Sequence, residues 1–318
     1  MATATKAPEF GDVRAGQKAS AWRRRLPLMP ALIFLIVVTQ IPFVVTIVIS
    51  LFHWVVMYPN DTRFDWFANY AAVLRDAHLR AAIVNTVIMV VIGVLSALII
   101  GTFLALLLNR SFRGRGIVRT LLITPFLIMP MAGSLMWKHL IYNPEYGLIN
   151  GVLKWLGNTF GFDPAQPEWV SGSPKAAVII VLVWTWTPFM MLITLAGLQA
   201  QDSEVKEAAM IDGANAFQQF RYLTFKHLRQ YLELATVLGV IYLLNAYDQV
   251  FSITQGGPGT ATTNLPYQIY ITIFRGYDYG RGAAAGVLVV IFSIIISNFG
   301  LRLISSLNDV VPAGGRKK

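Results

Sequence analysis

The 318-residue chain is 55% hydrophobic and only 13% charged, with a mean hydropathy of +0.57 and a net charge of +10. Soluble domains carry about 25% charged residues, so this composition excludes a water-soluble globule and requires a membrane protein. With no cysteine and four histidines, thiol chemistry, disulfides, iron–sulfur clusters and thiolate zinc sites drop out. The basic residues lie between apolar runs instead of on one soluble face, which argues against a nucleic-acid partner.

A helix rises 1.5 Å per residue and the hydrocarbon core is about 30 Å thick, so a span needs roughly 20 apolar residues. Six stretches qualify, at 26–52, 81–108, 117–141, 176–200, 231–251 and 283–304, which predicts an all-α integral membrane protein with six transmembrane helices. The first 22 residues, rich in Ala, Gly and Lys, are expected to be disordered, within an N-terminal tail at 1–25. Arg23, Arg24 and Arg25 precede an apolar run longer than a signal core, with no small-x-small cleavage pattern, so the first span is predicted to be an uncleaved anchor. Pro125 and Pro130 predict a kink in the third span.

Segments 1–25, 109–119, 201–230 and 302–318 hold 18 Lys and Arg residues, against 7 in 53–80, 142–175 and 252–282. Basic loops stay cytoplasmic, so both termini, including a tail at 305–318, are predicted inside. Trp54, Tyr58, Trp137, Tyr142 and Trp169 then fall at the outer ends, where interfacial aromatics are expected. No hydrophilic segment is long enough to house a nucleotide-hydrolysing domain, and no G-x-x-x-x-G-K-[ST] phosphate loop occurs. Whatever energy source the protein uses, it is not expected to hydrolyse a nucleotide itself. His53, His78, His139 and His227 are scattered without ligand spacing, so no metal site is predicted.

The informative loop is 201–230. Asp202 or Ser203 can cap a short helix, Glu204 favours its first turn, and Asp212-Gly213 stops it. Phe217, Phe220 and Leu223 then return the chain to the membrane surface. Ala208 and Ala209 permit a close backbone approach by another protein, and Glu207 and Asp212 offer it carboxylates.

Glu207-Ala208-Ala209-x-x-x-Gly213, followed by Ala214, Phe220, Leu223 and Leu228-Arg229, resembles the EAA loop of permease subunits in binding-protein-dependent ABC importers. Its flanks are similar to the sugar-permease branch of that family: Trp184-x-x-x-Pro188 through Gln199 ahead of it, Gly256-Gly257-Pro258 with Thr263 after it, and Pro125, Pro130, Trp137, Gly147, Ile149, Asn150 and Leu153 upstream. The resemblance covers about residues 25 to 308. It implies a type I importer permease in a bacterial cytoplasmic membrane. Implied partners are a homologous second permease subunit, a pair of ATP-binding subunits docking at the 201–230 loop, and an external solute-binding protein contacting Gly256, Gly257 and Pro258. The implied substrate is a sugar or polyol, with Pro188 to Gln199 and Leu265-Pro266-Tyr267 leaning toward polyol importers. Where the family has Leu-Pro beyond the loop, this chain has Phe225-Lys226 and lacks the proline that would set the angle into the fifth span.

Within the fifth span, Tyr242, Asn245, Asp248, Gln249 and Ser252 are spaced to share one helical face, and buried polar groups of this kind line a substrate pathway or meet wetted interface. Trp184 and Trp186 serve either as packing or as rings that stack on sugars. Two other classes compete. An ion-gradient-driven secondary transporter would need an inverted repeat and midplane carboxylates, and a membrane enzyme would need a nucleophile–base pair inside the spans. Neither pattern is found.

Overall fold

A computed structural model of the chain describes the backbone of residues 26–306 and the side chains of 27–295; the expected tails at 1–25 and beyond 306 lie outside the described residues. The described chain is helical apart from a two-stranded hairpin, β1 (Phe52–His53) and β2 (Arg63–Phe64). Helix α1 (Met29–Ser50) exposes nearly all of its apolar surface and packs along α12 (Tyr279–Ser306). The short α2 (Ala68–Arg75) follows the hairpin, and its buried Asn69 donates to the carbonyls of Ser50 and Phe52, tying the end of α1 to this layer.

The centre is built on α3 (Ala77–Leu108) and α7 (Pro174–Gln199), the most extensive helix pair. Asp76 caps α3 by accepting from the His78 backbone N–H at 2.8 Å, and Pro174 opens α7 where a missing N–H costs nothing. Apolar helices gain little from burial against one another in lipid, so they associate by close packing of small residues. At Gly101 a Cβ would stand 2.8 Å from both the Met190 Cβ and the Met191 backbone nitrogen, so glycine there lets the two backbones meet. Val94, Ala97, Met190, Ala235 and Leu243 then join α9 (Phe225–Leu244) to the pair.

Among the described residues three helices are long and apolar enough to cross a membrane: α1, α3 and α7. The expected third span is instead broken into α4 (Arg115–Leu127) and α5 (Pro130–Met136, continued by one wider turn to Ile141), bent by 101°. Pro125 stays inside α4; the break falls at Ile128 and Met129, both extended. Pro130 excludes the helical conformation from the residue before it and then starts the next helix. Counting that bent pair as one span makes four. The expected continuous fifth span is corrected too: α9 ends at Leu244, and a separate α10 (Asp248–Ile253) follows. Of the sixth, the apolar part that is described runs from Tyr279 to Ile295.

Further helices are α6 (Leu148–Phe160), α8 (Ser203–Ile211) and α11 (Leu265–Tyr270, continued by a wider turn to Arg275), with a single helical turn at Trp169–Gly172. Between α8 and α9 lies a turn at Ala216–Gln218 and a wider-pitch helical turn at Gln219–Thr224, so the junction at Phe225-Lys226 is a continuous helical run made without proline.

Candidate functional site

Helix α8 forms where the sequence places it. Asp202 accepts the Glu204 N–H at 2.9 Å, and Glu204 sits in the first turn, complementing the helix dipole. The stop is a left-handed cap. Gly213 has φ +80°, its N–H reaches the Met210 carbonyl at 3.1 Å, and the Ala214 N–H reaches that of Ala209 at 2.9 Å. Asn215 and Gln218 then cap the following turn reciprocally, each side chain bonding the other's backbone N–H at 2.9 Å. These caps leave α8 fixed but uncovered. Glu207, Ala208, Asp212 and Gly213 are exposed, Ala209 is half-buried, and Ile211 is 86% exposed beside exposed Val205, Met210 and Phe217. A short rigid helix that offers both carboxylates and apolar side chains is suited to insertion into a partner's cleft.

The polar residues of the expected fifth span do not share one face. The helix is left at Asn245, whose side chain donates back to the Ile241 carbonyl at 2.8 Å, a bond that competes with the helical ladder. Asn264 holds the freed Ala246 carbonyl from outside. As a result Tyr242 and Asn245 are exposed, Asp248 is half-buried, and Gln249 and Ser252 turn into the protein. Trp186 comes to Tyr242, the rings stacked at 4.8 Å, with Phe126 and Phe189 packed edge-on to Trp186 at 5.7 and 5.8 Å. Trp184 lies elsewhere, edge-on to Trp137 at 5.6 Å and against Gly133. The structure therefore joins Trp186, Tyr242 and Asn245 around the end of α9 and separates them from Trp184, Gln249 and Ser252.

The loop carrying Gly256, Gly257 and Pro258 is a knot of buried polar contacts. Thr262 donates its backbone N–H to the Gly256 carbonyl at 3.0 Å and its hydroxyl to that of Gly257 at 3.1 Å, and it contacts the Thr254 hydroxyl at 2.7 Å. From α3, buried Asn85 donates to the carbonyls of Thr260 and Thr263 at 2.8 and 2.9 Å, and Thr86 accepts the Leu265 N–H at 2.9 Å. Asn264, which holds Ala246, also caps α11. The loop is thus pinned both to α3 and to the break between α9 and α10. Sequence reasoning passed over Asn85, Thr86 and Asn264, although a polar pair inside the apolar run 81–108 was the available signal. Beside this loop opens a cleft of about 660 Å³, whose walls include Lys138, Trp169, Glu168, Gly257 and Pro258. Among the described residues no cluster of His, Asp and Glu could hold a metal ion.

An apolar helical bundle with an exposed, capped helix is compatible with a membrane transport subunit. Residues 97–308 match the model of the binding-protein-dependent transport system inner membrane component, and the chain belongs to that family. It is a permease subunit of an ABC importer, a multi-pass membrane component without ATPase activity of its own. A probable ABC transporter permease protein of Sinorhizobium fredii is 39% identical over 294 residues, covering 90% of this chain and 93% of that protein. The trehalose/maltose transport system permease protein MalF of Thermococcus litoralis is 34% identical, covering 86% and 92%. The sulfoquinovosyl glycerol transport system permease protein SmoG of Agrobacterium fabrum is 31% identical, covering 88% and 89%. The fold is that of a chain in a bacterial ABC transporter that imports the acidic polysaccharide alginate, with a TM-score of 0.75 at 18% identity, covering 92% of this chain and 99% of that one. A second structure, a bacterial alginate transporter in complex with alginate pentasaccharide-bound periplasmic protein, has a chain that gives 0.73 at 20% identity, covering 90% and 94%. These establish the type I importer permease fold.

Proposed function

We propose that this chain is one of two homologous permease subunits of a bacterial cytoplasmic-membrane importer for a sugar or polyol, with six spans and both termini inside. A pair of ATP-binding subunits drives it through α8, using ATP and Mg that this chain does not bind. The observation that carries this reading is α8: an acidic, apolar-tipped helix, capped at both ends and left uncovered on a membrane protein. Docking through it lets nucleotide binding in one protein change the conformation of another, because the partner has different contacts with α8 in each state.

The substrate pathway is assigned to the group around the end of α9, with Trp186 and Tyr242 as ring faces for a sugar and Asn245 and Asp248 for its hydroxyls. Gln249 and Trp184, placed on the pathway by sequence, support it from inside the packing. The Gly256–Pro258 loop is assigned to the external solute-binding protein. The sugar class rests on the curated relatives for trehalose/maltose and sulfoquinovosyl glycerol together with this aromatic–amide pairing.

Reconstitution of the full transporter in liposomes tests the assignment. Trehalose, maltose, sulfoquinovosyl glycerol and sorbitol, each with the system's solute-binding protein, are compared for stimulation of ATP hydrolysis and for uptake. At least one should drive both, and ionophores that collapse proton and sodium gradients should leave uptake intact. Uptake that follows an ion gradient and ignores ATP would overturn the reading in favour of a secondary transporter.

A further inference from the structure

We propose that the cleft beside the Gly256–Pro258 loop receives an acidic side chain of the protein docked on that face, with Lys138 as its ion-pair partner. The inference rests on the assignment of that loop to a solute-binding protein and adds the chemistry of the contact. Of the 26 Lys and Arg residues, Lys138 alone lies outside the seven hydrophilic segments, inside the third apolar stretch. A cation in that position is costly unless it is compensated.

The chain compensates it only in part. Lys138 is half-buried, and its Nζ donates to the Ser252 carbonyl at 3.3 Å, in the last turn of α10 where helix carbonyls lack internal partners. No carboxylate lies within 4.0 Å of it among the described residues. An ammonium carries three donors, so two N–H groups remain for the cleft. His139 and Glu168 also line the cleft, and the Glu168 carboxylate accepts from the Ser171 hydroxyl.

The rest of the cleft is built to receive a protein segment. Trp169 is fixed by its Nε1 donating to Asn150 at 2.9 Å and by stacking on buried Tyr142. Pro258 faces the cleft from a loop that Asn85, Thr262 and Thr263 already hold. Rigid, largely apolar walls around a partly compensated cation reduce the ordering cost of association and shield the ion pair from water once the partner is seated. Charge complementarity selects a carboxylate. The cleft volume of about 660 Å³ leaves room for a side chain presented by a protein surface.

The test uses the complete transporter in nanodiscs, titrated with its sugar-loaded solute-binding protein while ATP hydrolysis is followed at several salt concentrations. Lys138→Gln keeps a hydrogen-bond donor but removes the charge. It should raise the half-maximal binding-protein concentration about tenfold or more and flatten its dependence on salt. Lys138→Arg should retain both wild-type properties, and Lys154→Gln, at an exposed lysine outside the cleft, should match the wild type. A wild-type titration and salt slope in Lys138→Gln would overturn the proposal. So would a Glu168→Gln variant that reproduces the Lys138→Gln defect, since Lys138 would then pair within the chain. A shift in sugar dependence with unchanged binding-protein dependence would overturn it in favour of a sugar subsite. If the binding protein fails to stimulate the wild type at any concentration, the assignment of the loop itself fails, which is a different result from a titration that Lys138 does not influence.

Discussion

Trp186 and Tyr242 meet only because α7 and α9 cross there, and their stacked rings at 4.8 Å make one aromatic surface next to exposed Asn245. Removing a side chain that holds a sugar hydroxyl costs about 1–3 kcal/mol, roughly tenfold or more in affinity. Asn245→Ala and Asp248→Asn are therefore expected to raise the sugar concentration needed for half-maximal uptake about tenfold, while co-purification with the ATPase persists. Normal uptake of every accepted sugar in both variants would move the pathway to the partner permease. Asn85 is a different kind of residue. It is 4% exposed and gives both amide hydrogens to loop carbonyls, so Asn85→Ala strips the Thr263 carbonyl of its buried donor, leaves the Thr260 carbonyl only the Thr263 N–H, and is expected to destabilise the detergent-solubilised protein by about 1–3 kcal/mol. A lowered melting temperature with loosened protease protection near Gly256 would show it; an unchanged melt would mean that water replaces the amide.

At the scale of elements, the two helix ends that define the sites are made in different ways. Gly213 ends α8 by local chemistry alone, at φ +80° with nothing within 4 Å of where a side chain would begin. A non-glycine residue in that conformation costs roughly 1–2 kcal/mol, most for β-branched side chains, whereas asparagine tolerates it. Gly213→Val should therefore weaken ATPase co-purification several-fold and Gly213→Asn should largely preserve it. Equal loss in both would mean that the partner's backbone needs a bare glycine, and equal retention would detach the cap from docking. The end of α9 combines a local bond, Asn245 to the Ile241 carbonyl, with a distant one, in which Asn264, 18 residues beyond Ala246, reaches that residue's carbonyl. That is why the spacing of Tyr242, Asn245, Asp248, Gln249 and Ser252 suggested one continuous face that the structure does not have. Pro130 lies between the two cases, since the proline was legible in the sequence but the 101° bend it permits was not.

For the whole molecule, the uneven distribution of basic residues, 18 against 7, predicts which loops are cytoplasmic. Reporter fusions after Gly114 and Gly213 should give cytoplasmic signals, and one after Gly161 an external signal. An external signal at Gly213 would remove α8 from reach of any ATPase. The structure adds a mechanical relation between the faces of the molecule. The Gly256–Pro258 loop is pinned to α3 by Asn85 and Thr86 and to the α9–α10 break by Asn264, so movement of the loop is borne by α3, which packs on the Trp186 helix α7, and by the end of α9 that carries Tyr242.

Membrane residence, the helical class and the position of the capped helix α8 were all legible in the sequence, because each depends on short-range physics: apolar length against bilayer thickness, capping side chains within three residues, and a glycine that tolerates φ +80°. The family resemblance could be recognised for the same reason, since its motif is contiguous. Tertiary structure decided where the third and fifth stretches break, which aromatic residues meet, and how the outer loop is anchored. Those outcomes depend on bonds such as Asn85 to Thr263 and Asn264 to Ala246, whose partners are 178 and 18 residues apart. In a lipid-embedded chain a freed backbone carbonyl must find a donor wherever the fold brings one, and hydrophobic periodicity carries no record of that partner.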